Sequence, residues 1–102
     1  MKITIEELQE YLFDHYKNGG IDQSLFMKLV EEIGEVAEVL NKKAGRKSVG
    51  QEDLQTQLGN ELADVVHYTI AIAALNGIDM NDIILSKDKD ASIKYNHRIN
   101  LE

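Results

Sequence analysis

Four glutamates crowd one short stretch, "LVEEIGEVAEVL" over residues 29–40: Glu31, Glu32, Glu35 and Glu38. On a helix, like charges three or four apart repel by about 0.2–0.5 kcal/mol per pair. The stretch is therefore either a solvated face or a place where something positive sits among the acids. Glu32 and Glu35 are one turn apart and project together. A second pair with the same spacing follows in "NELADVVHY": Glu61 and Asp64. Glu61 is flanked by Leu58, Leu62 and Val65, close to the apolar centre of its segment, where a carboxylate is costly unless neutralised or paired. A solvated face explains one such pair, because Glu is a good helix former, and Glu38 has Lys42 four places on as a partner. Two pairs at the edge of core positions call for a shared cation. No Arg or Lys interrupts either pair, and the chain has no cysteine. Oxygen donors alone select a hard ion, Mg2+ or Mn2+.

His67 offers a competing chemistry. Asp64-x-x-His67 matches half of a carboxylate-bridged di-iron site, which needs Glu-x-x-His on two helices and a lone Glu on two more. The first acidic stretch holds no histidine, so His67 reads better as a packed or surface residue.

The elements that must position these acids are four helical segments punctuated by glycine. Thr4 with Glu7 three places on is a capping-box start, Ile5, Leu8 and Leu12 recur at helical spacing, and "KNGG" over 17–20 is a stop. The second helix begins near Asp22 or Ser24 and runs to about Lys43, with Leu25, Leu29, Ile33, Val36 and Leu40 as its stripe. "KKAGRKSVG" over 42–50 reads as a basic loop. The third helix runs from about Gln51 to Asn76, stopped by Gly77, and its second half, "VVHYTIAIAAL", is apolar on nearly every side, which predicts burial all round. Partner helices of one subunit struggle to cover it, so subunits are expected to pack together. The fourth helix starts at Asp79, a good N-cap, and its pattern weakens after "SKDKD". Antiparallel packing of the second and third helices brings the two acid pairs face to face.

Composition bounds the rest. The chain has 102 residues, 43% hydrophobic and 28% charged, which is one soluble globular domain over residues 1–102. With no proline, long helices run uninterrupted. The net charge of −7 argues against a nucleic-acid polymer as partner. It leaves room for a small anion bridged to the protein by a cation. The start, MKITIEELQE, has acids where a signal peptide has a basic flank. The longest run free of formal charge, Val65 to Ile78, is too short to span a bilayer. A cytoplasmic location and no membrane are expected.

Together these residues resemble the MazG-type nucleotide pyrophosphohydrolases, within the all-α NTP pyrophosphohydrolase group that includes the dimeric dUTPases and dCTPases. The family pattern is EExxE, a spacer, then ExxD; here it reads Glu31-Glu32-Ile33-Gly34-Glu35 and Glu61-Leu62-Ala63-Asp64. The flanking contexts are similar too, and the resemblance covers roughly residues 22–87. It implies an all-α, four-helix-bundle-type subunit that assembles as a homodimer or homotetramer. It implies Mg2+ held by Glu32, Glu35, Glu61 and Asp64, with Glu31 or Glu35 orienting a water. It implies hydrolysis of a nucleoside triphosphate between the α and β phosphorus atoms. Lys87 matches the family's lysine position; the asparagine expected four residues later is Ala91 here. Lys94, Asn96 and Arg98 come later still and are candidate phosphate contacts. Phe13, Tyr16 and Phe26 are candidates for stacking on the base. A non-catalytic helical interaction module of the same fold is the alternative to an enzyme.

Overall fold

The computed structural model describes residues 1–19, 21–45 and 53–98, which form four α-helices. These are α1 (Ile5–Tyr16), α2 (Asp22–Lys43), α3 (Leu54–Leu75) and α4 (Met80–Lys94). The basic loop expected over 42–50 lies, from Arg46 onward, outside the described residues, as does the expected start of the third helix at Gln51. Among the described residues, no helix is long and apolar enough to cross a membrane.

Local chemistry sets most helix ends. Thr4 and Glu7 form the capping box: the Thr4 hydroxyl accepts from the Glu7 amide at 3.0 Å, and the Glu7 carboxylate accepts from the Thr4 amide at 3.1 Å. Asp53 and Asp79 cap α3 and α4 by accepting from the amides of Thr56 and Asp82, each at 3.1 Å. Helix α3 ends at Gly77, whose φ of 65° suits a residue without Cβ. There the Ile78 amide reaches back to the Ala73 carbonyl at 3.0 Å. The weak "SIKYNHRIN" pattern resolves as helix up to Lys94. Asn96 then takes a left-handed φ of 54°, and the His97 amide donates to the Ser92 carbonyl at 2.8 Å. Asn is the non-glycine residue best suited to that stop.

Helices α2 and α3 run antiparallel, and their contacts show the register. Asp22 accepts from Asn76 Nδ2 at 2.9 Å at one end, and Lys43 donates to Gln55 Oε1 at 3.4 Å at the other. Glu32 meets Glu61 and Asp64 between them. The α1 helix lies across α3, and the core joins Leu12, Leu25, Ile70 and Ala71. Helix α4 rests chiefly on α1. Gln9 ties α1 to the α3–α4 turn, donating to the Ile78 carbonyl and accepting from the Met80 amide.

The buried line of α2 differs from the stripe expected from spacing. Leu25 and Val39 are buried, while Ile33 and Leu40 are about half exposed. The cause is that α2 carries two apolar flanks. One, centred on 25, 32 and 39, faces α3. The other, with Phe26, Val30, Ile33 and Leu40, faces outward beside the exposed Leu62 and Val66 of α3. The all-round burial expected for "VVHYTIAIAAL" is met at Ile70, Ala71, Ala73 and Ala74 and not at Val66. The radius of gyration, 16.6 Å, exceeds the roughly 13 Å of a compact chain this long. One chain thus leaves a continuous apolar face uncovered.

Candidate metal centre

Register and helix period together build the site. At about 100° per residue, positions seven apart lie nearly on one line. Glu32 stands on the line of Leu25 and Val39, and Glu61 on that of Leu54, Tyr68 and Leu75. Both carboxylates therefore sit within the α2–α3 seam rather than beside it. Glu35 and Asp64 stand one turn away on the same flank of their helices and are exposed.

The result is a compact acidic group. One carboxylate oxygen each from Glu32, Glu61 and Asp64 lie within 4.8 Å of one another. Glu35 stands close enough to Glu61 to raise its carboxyl. The Oε2 atoms of Glu32 and Glu61 are closed off from solvent and have no donor. A buried carboxylate oxygen without a partner is expensive, and burying two against each other adds like-charge repulsion. The pKa directions follow. The hydrogen bond with Glu35, then burial, then the hydrogen bond and charge of Glu32 push the Glu61 carboxyl up to about 7. Burial raises Glu32 above the usual carboxylate range, with the charges of Glu35 and Asp64 adding to it and a hydrogen bond to Glu61 opposing. Without a cation, this crowding favours the protonated form of Glu61 and Glu32.

The donor set fits a hard divalent cation: carboxylate oxygens from two helices, two of them buried without partners, and no sulfur or nitrogen among them. His67, which a di-iron site requires, faces elsewhere: its Nε2 lies 2.7 Å from the Tyr16 hydroxyl.

Two open clefts involve α2 and α3, one of them including acids of the group. One, of about 400 Å³, is lined by His15, Tyr16, Ser24, Leu25, Lys28 and Tyr68, with Gly19 and Ile21 at its edge. The other, of about 220 Å³, is lined by Glu35, Glu38, Val39, Lys42, Gln57 and Glu61. Spacing from the acids was the available signal for the larger cleft: Lys28 is one turn before Glu32 and Tyr68 one turn after Asp64.

The other candidates are distributed as follows. Glu31 points outward on the clefts' side of α2, its carboxylate 3.4 Å from Lys28 Nζ. Tyr16 lines the larger cleft, whereas Phe13 and Phe26 are about half exposed and do not. Lys87, Lys94, Asn96 and Arg98 belong to α4 and the turn after it and line neither cleft. Lys94 Nζ sits over the Tyr95 ring, 5.3 Å from its centroid, and Asn96 forms the helix stop.

An all-α subunit with paired acids facing across an antiparallel seam offers a candidate carboxylate site for a metal. Comparison with protein families places it: residues 22–99 match the model of the MazG nucleotide pyrophosphohydrolase domain. The chain belongs to that family. Among solved structures it is similar to the crystal structure of iMazG from Vibrio DAT 722, with 27% identity and a TM-score of 0.70, covering 93% of this chain and 100% of that one. A comparison with curated proteins finds no match.

Proposed function

We propose that the protein is a Mg2+-dependent nucleoside triphosphate pyrophosphohydrolase, splitting an NTP or dNTP between the α and β phosphorus atoms into the monophosphate and pyrophosphate. The observation that carries this is the meeting of Glu32, Glu61 and Asp64 with two buried, unpartnered oxygens. Membership of the family supports it. Mg2+, with Mn2+ as a substitute, is held by Glu32, Glu35, Glu61 and Asp64. When bound, such a cation polarises phosphoryl oxygens and lowers the pKa of water.

The chain's own residues supply the rest. The acids repel a bare triphosphate and admit one that arrives with its cation, which ties binding to metal. Either Glu35, through the part of its carboxylate not spent on the metal, or Glu31 orients the attacking water and accepts its proton. Lys28 lines the larger cleft one turn before Glu32, its Nζ 3.4 Å from Glu31, where it can meet a phosphate oxygen. That cleft, of about 400 Å³, is large enough for a nucleoside, and Tyr16 and Tyr68 offer ring faces to its base.

A homodimer or dimer of dimers covers the exposed flank of Phe26, Val30, Ile33, Leu40, Leu62 and Val66. Lys87, Lys94, Asn96 and Arg98 are the further candidates for phosphate contact, and neighbouring subunits close the site. The role is housecleaning or control of the nucleotide pool in the cytoplasm. A panel of ribo- and deoxyribonucleotides with Mg2+, read by pyrophosphate release, tests the proposal. Release from at least one nucleotide is expected, with loss in Glu35→Gln. No release from any of them, or release untouched by that substitution, refutes it.

A further inference from the structure

A ladder of five rings crosses from α1 to α3. Tyr11 stacks on His15 with centroids 6.2 Å apart, and His15 meets Tyr16 edge-on at 4.6 Å. Tyr16 meets His67 edge-on at 5.7 Å, and His67 meets Tyr68 edge-on at 4.8 Å. His15, Tyr16 and Tyr68 line the larger cleft; His67 does not. It is the rung that joins the two helices, and its Nε2 lies 2.7 Å from the Tyr16 hydroxyl.

That bond is not needed to hold α1 on α3. Leu12, Leu25, Ile70 and Ala71 already do so through buried apolar contact. What the bond adds is direction. Aromatic rings turn about two torsions, and an edge contact alone leaves their tilt soft. A hydrogen bond at the tip of Tyr16 fixes where the end of its ring stands, and the edge-on contacts of His67 limit the turn of the Tyr16 and Tyr68 rings. Burial favours the uncharged form of both partners: it raises the Tyr16 phenol and lowers the His67 imidazole.

We infer that Tyr16 and His67 form a positioning pair, in which a residue outside the cleft sets the two aromatic faces that receive the nucleotide's base. This rests on the nucleotide reading above and extends it to a residue three positions beyond Asp64. His67 acts through Tyr16 and Tyr68 and touches no substrate.

The test is steady-state turnover by the full chain with Mg2+ and the nucleotide it hydrolyses best. His67→Leu is expected to raise KM about tenfold, the usual scale of one hydrogen bond lost, with kcat within about twofold of wild type. His67→Gln, whose amide can take up the Tyr16 hydroxyl, restores most of that KM. In the double variant Tyr16→Phe/His67→Leu, KM is no higher than in the worse single one, because both remove the same bond. An unmoved KM in His67→Leu, or effects that multiply in the double variant, overturns the pair. Tyr16→Phe keeps the ring and serves independently of whether His67→Leu folds: a wild-type KM there also overturns it. Wild-type turnover that is lost in Glu61→Gln, with KM unmoved in the Tyr16 and His67 variants, refutes the pair and leaves the hydrolase reading standing. No wild-type turnover on any nucleotide refutes the hydrolase reading, and the pair with it.

Discussion

Glu61→Gln is expected to lower pyrophosphate release at least about 100-fold, since loss of even an outer-shell partner of a metal ligand costs about 10–100-fold. The same substitution is expected to stabilise the metal-free protein. Glu61 sits in the seam with a buried, unpartnered oxygen, beside Glu32 and Glu35. An amide of the same shape removes one charge from that group and supplies two donors to its neighbours. Thermal unfolding with and without Mg2+ reads both effects. Wild type should melt low in chelator and gain with Mg2+, because a ligand that binds only the folded chain stabilises it by mass action. Glu61→Gln should melt higher in chelator and gain little. A variant that melts lower than wild type in chelator, yet keeps the full Mg2+ increment, would show that Glu61 is a structural residue. Loss of activity in a variant that simply unfolds cannot imitate this opposite pair of shifts.

The second large effect concerns pH. The folded-state carboxyl of Glu61 is raised to about 7 from an ordinary value of 4.5. Between those values the folded chain holds a proton that the unfolded chain has lost, so stability falls as pH rises. The contribution is fully present below the ordinary carboxylate value and gone above the raised one. Glu32, also raised, acts in the same direction. Asp14 and Asp53 are lowered, by Lys17 and Thr56 respectively, and act only at more acid pH, while His67, lowered by burial, opposes the carboxyls below its ordinary value of 6.5. In chelator, therefore, Tm should drop between about pH 5 and pH 7. With Mg2+ the trend reverses, because the cation needs the deprotonated group and its binding releases protons. The Mg2+ increment in Tm should be small near pH 5 and large near about pH 8. Since His67 is common to both proteins, a chelator curve that runs parallel in wild type and Glu61→Gln through the window contradicts the crowded acidic seam.

Much of this was legible in the residues themselves. Thr4 with Glu7, Asp79, and Gly77 are local signals, and local signals fix helix ends. The acids were legible because a three-residue spacing on a helix has one geometric meaning, and it occurs twice. The buried line of α2 was not. Leu25, Phe26, Leu29, Val30, Ile33, Val36, Val39 and Leu40 populate two flanks, and periodicity cannot say which one meets α3. Only pairing in space shows that 25, 32 and 39 do, and that Glu32 lies in the seam. Lys28 and Tyr68 were missed because their meaning depends on a cleft built by three helices. The place of α4 was equally hidden: Lys87, Lys94 and Arg98 are basic wherever the helix lies. Asn96 shows the opposite case, a candidate for binding that has a local job in stopping a helix. His67 reads from its spacing as a packed or surface residue. It is packed, and the ring it packs against gives it its proposed role.

The most direct measurement is the identity of the products. Phosphorus NMR of the purified protein with Mg2+ and its preferred nucleoside triphosphate should show monophosphate and pyrophosphate growing in equal amounts, with none in Glu61→Gln. Diphosphate and inorganic phosphate as the products, or signals unchanged after chelation of the metal, would contradict a Mg2+ centre acting between the α and β phosphorus atoms.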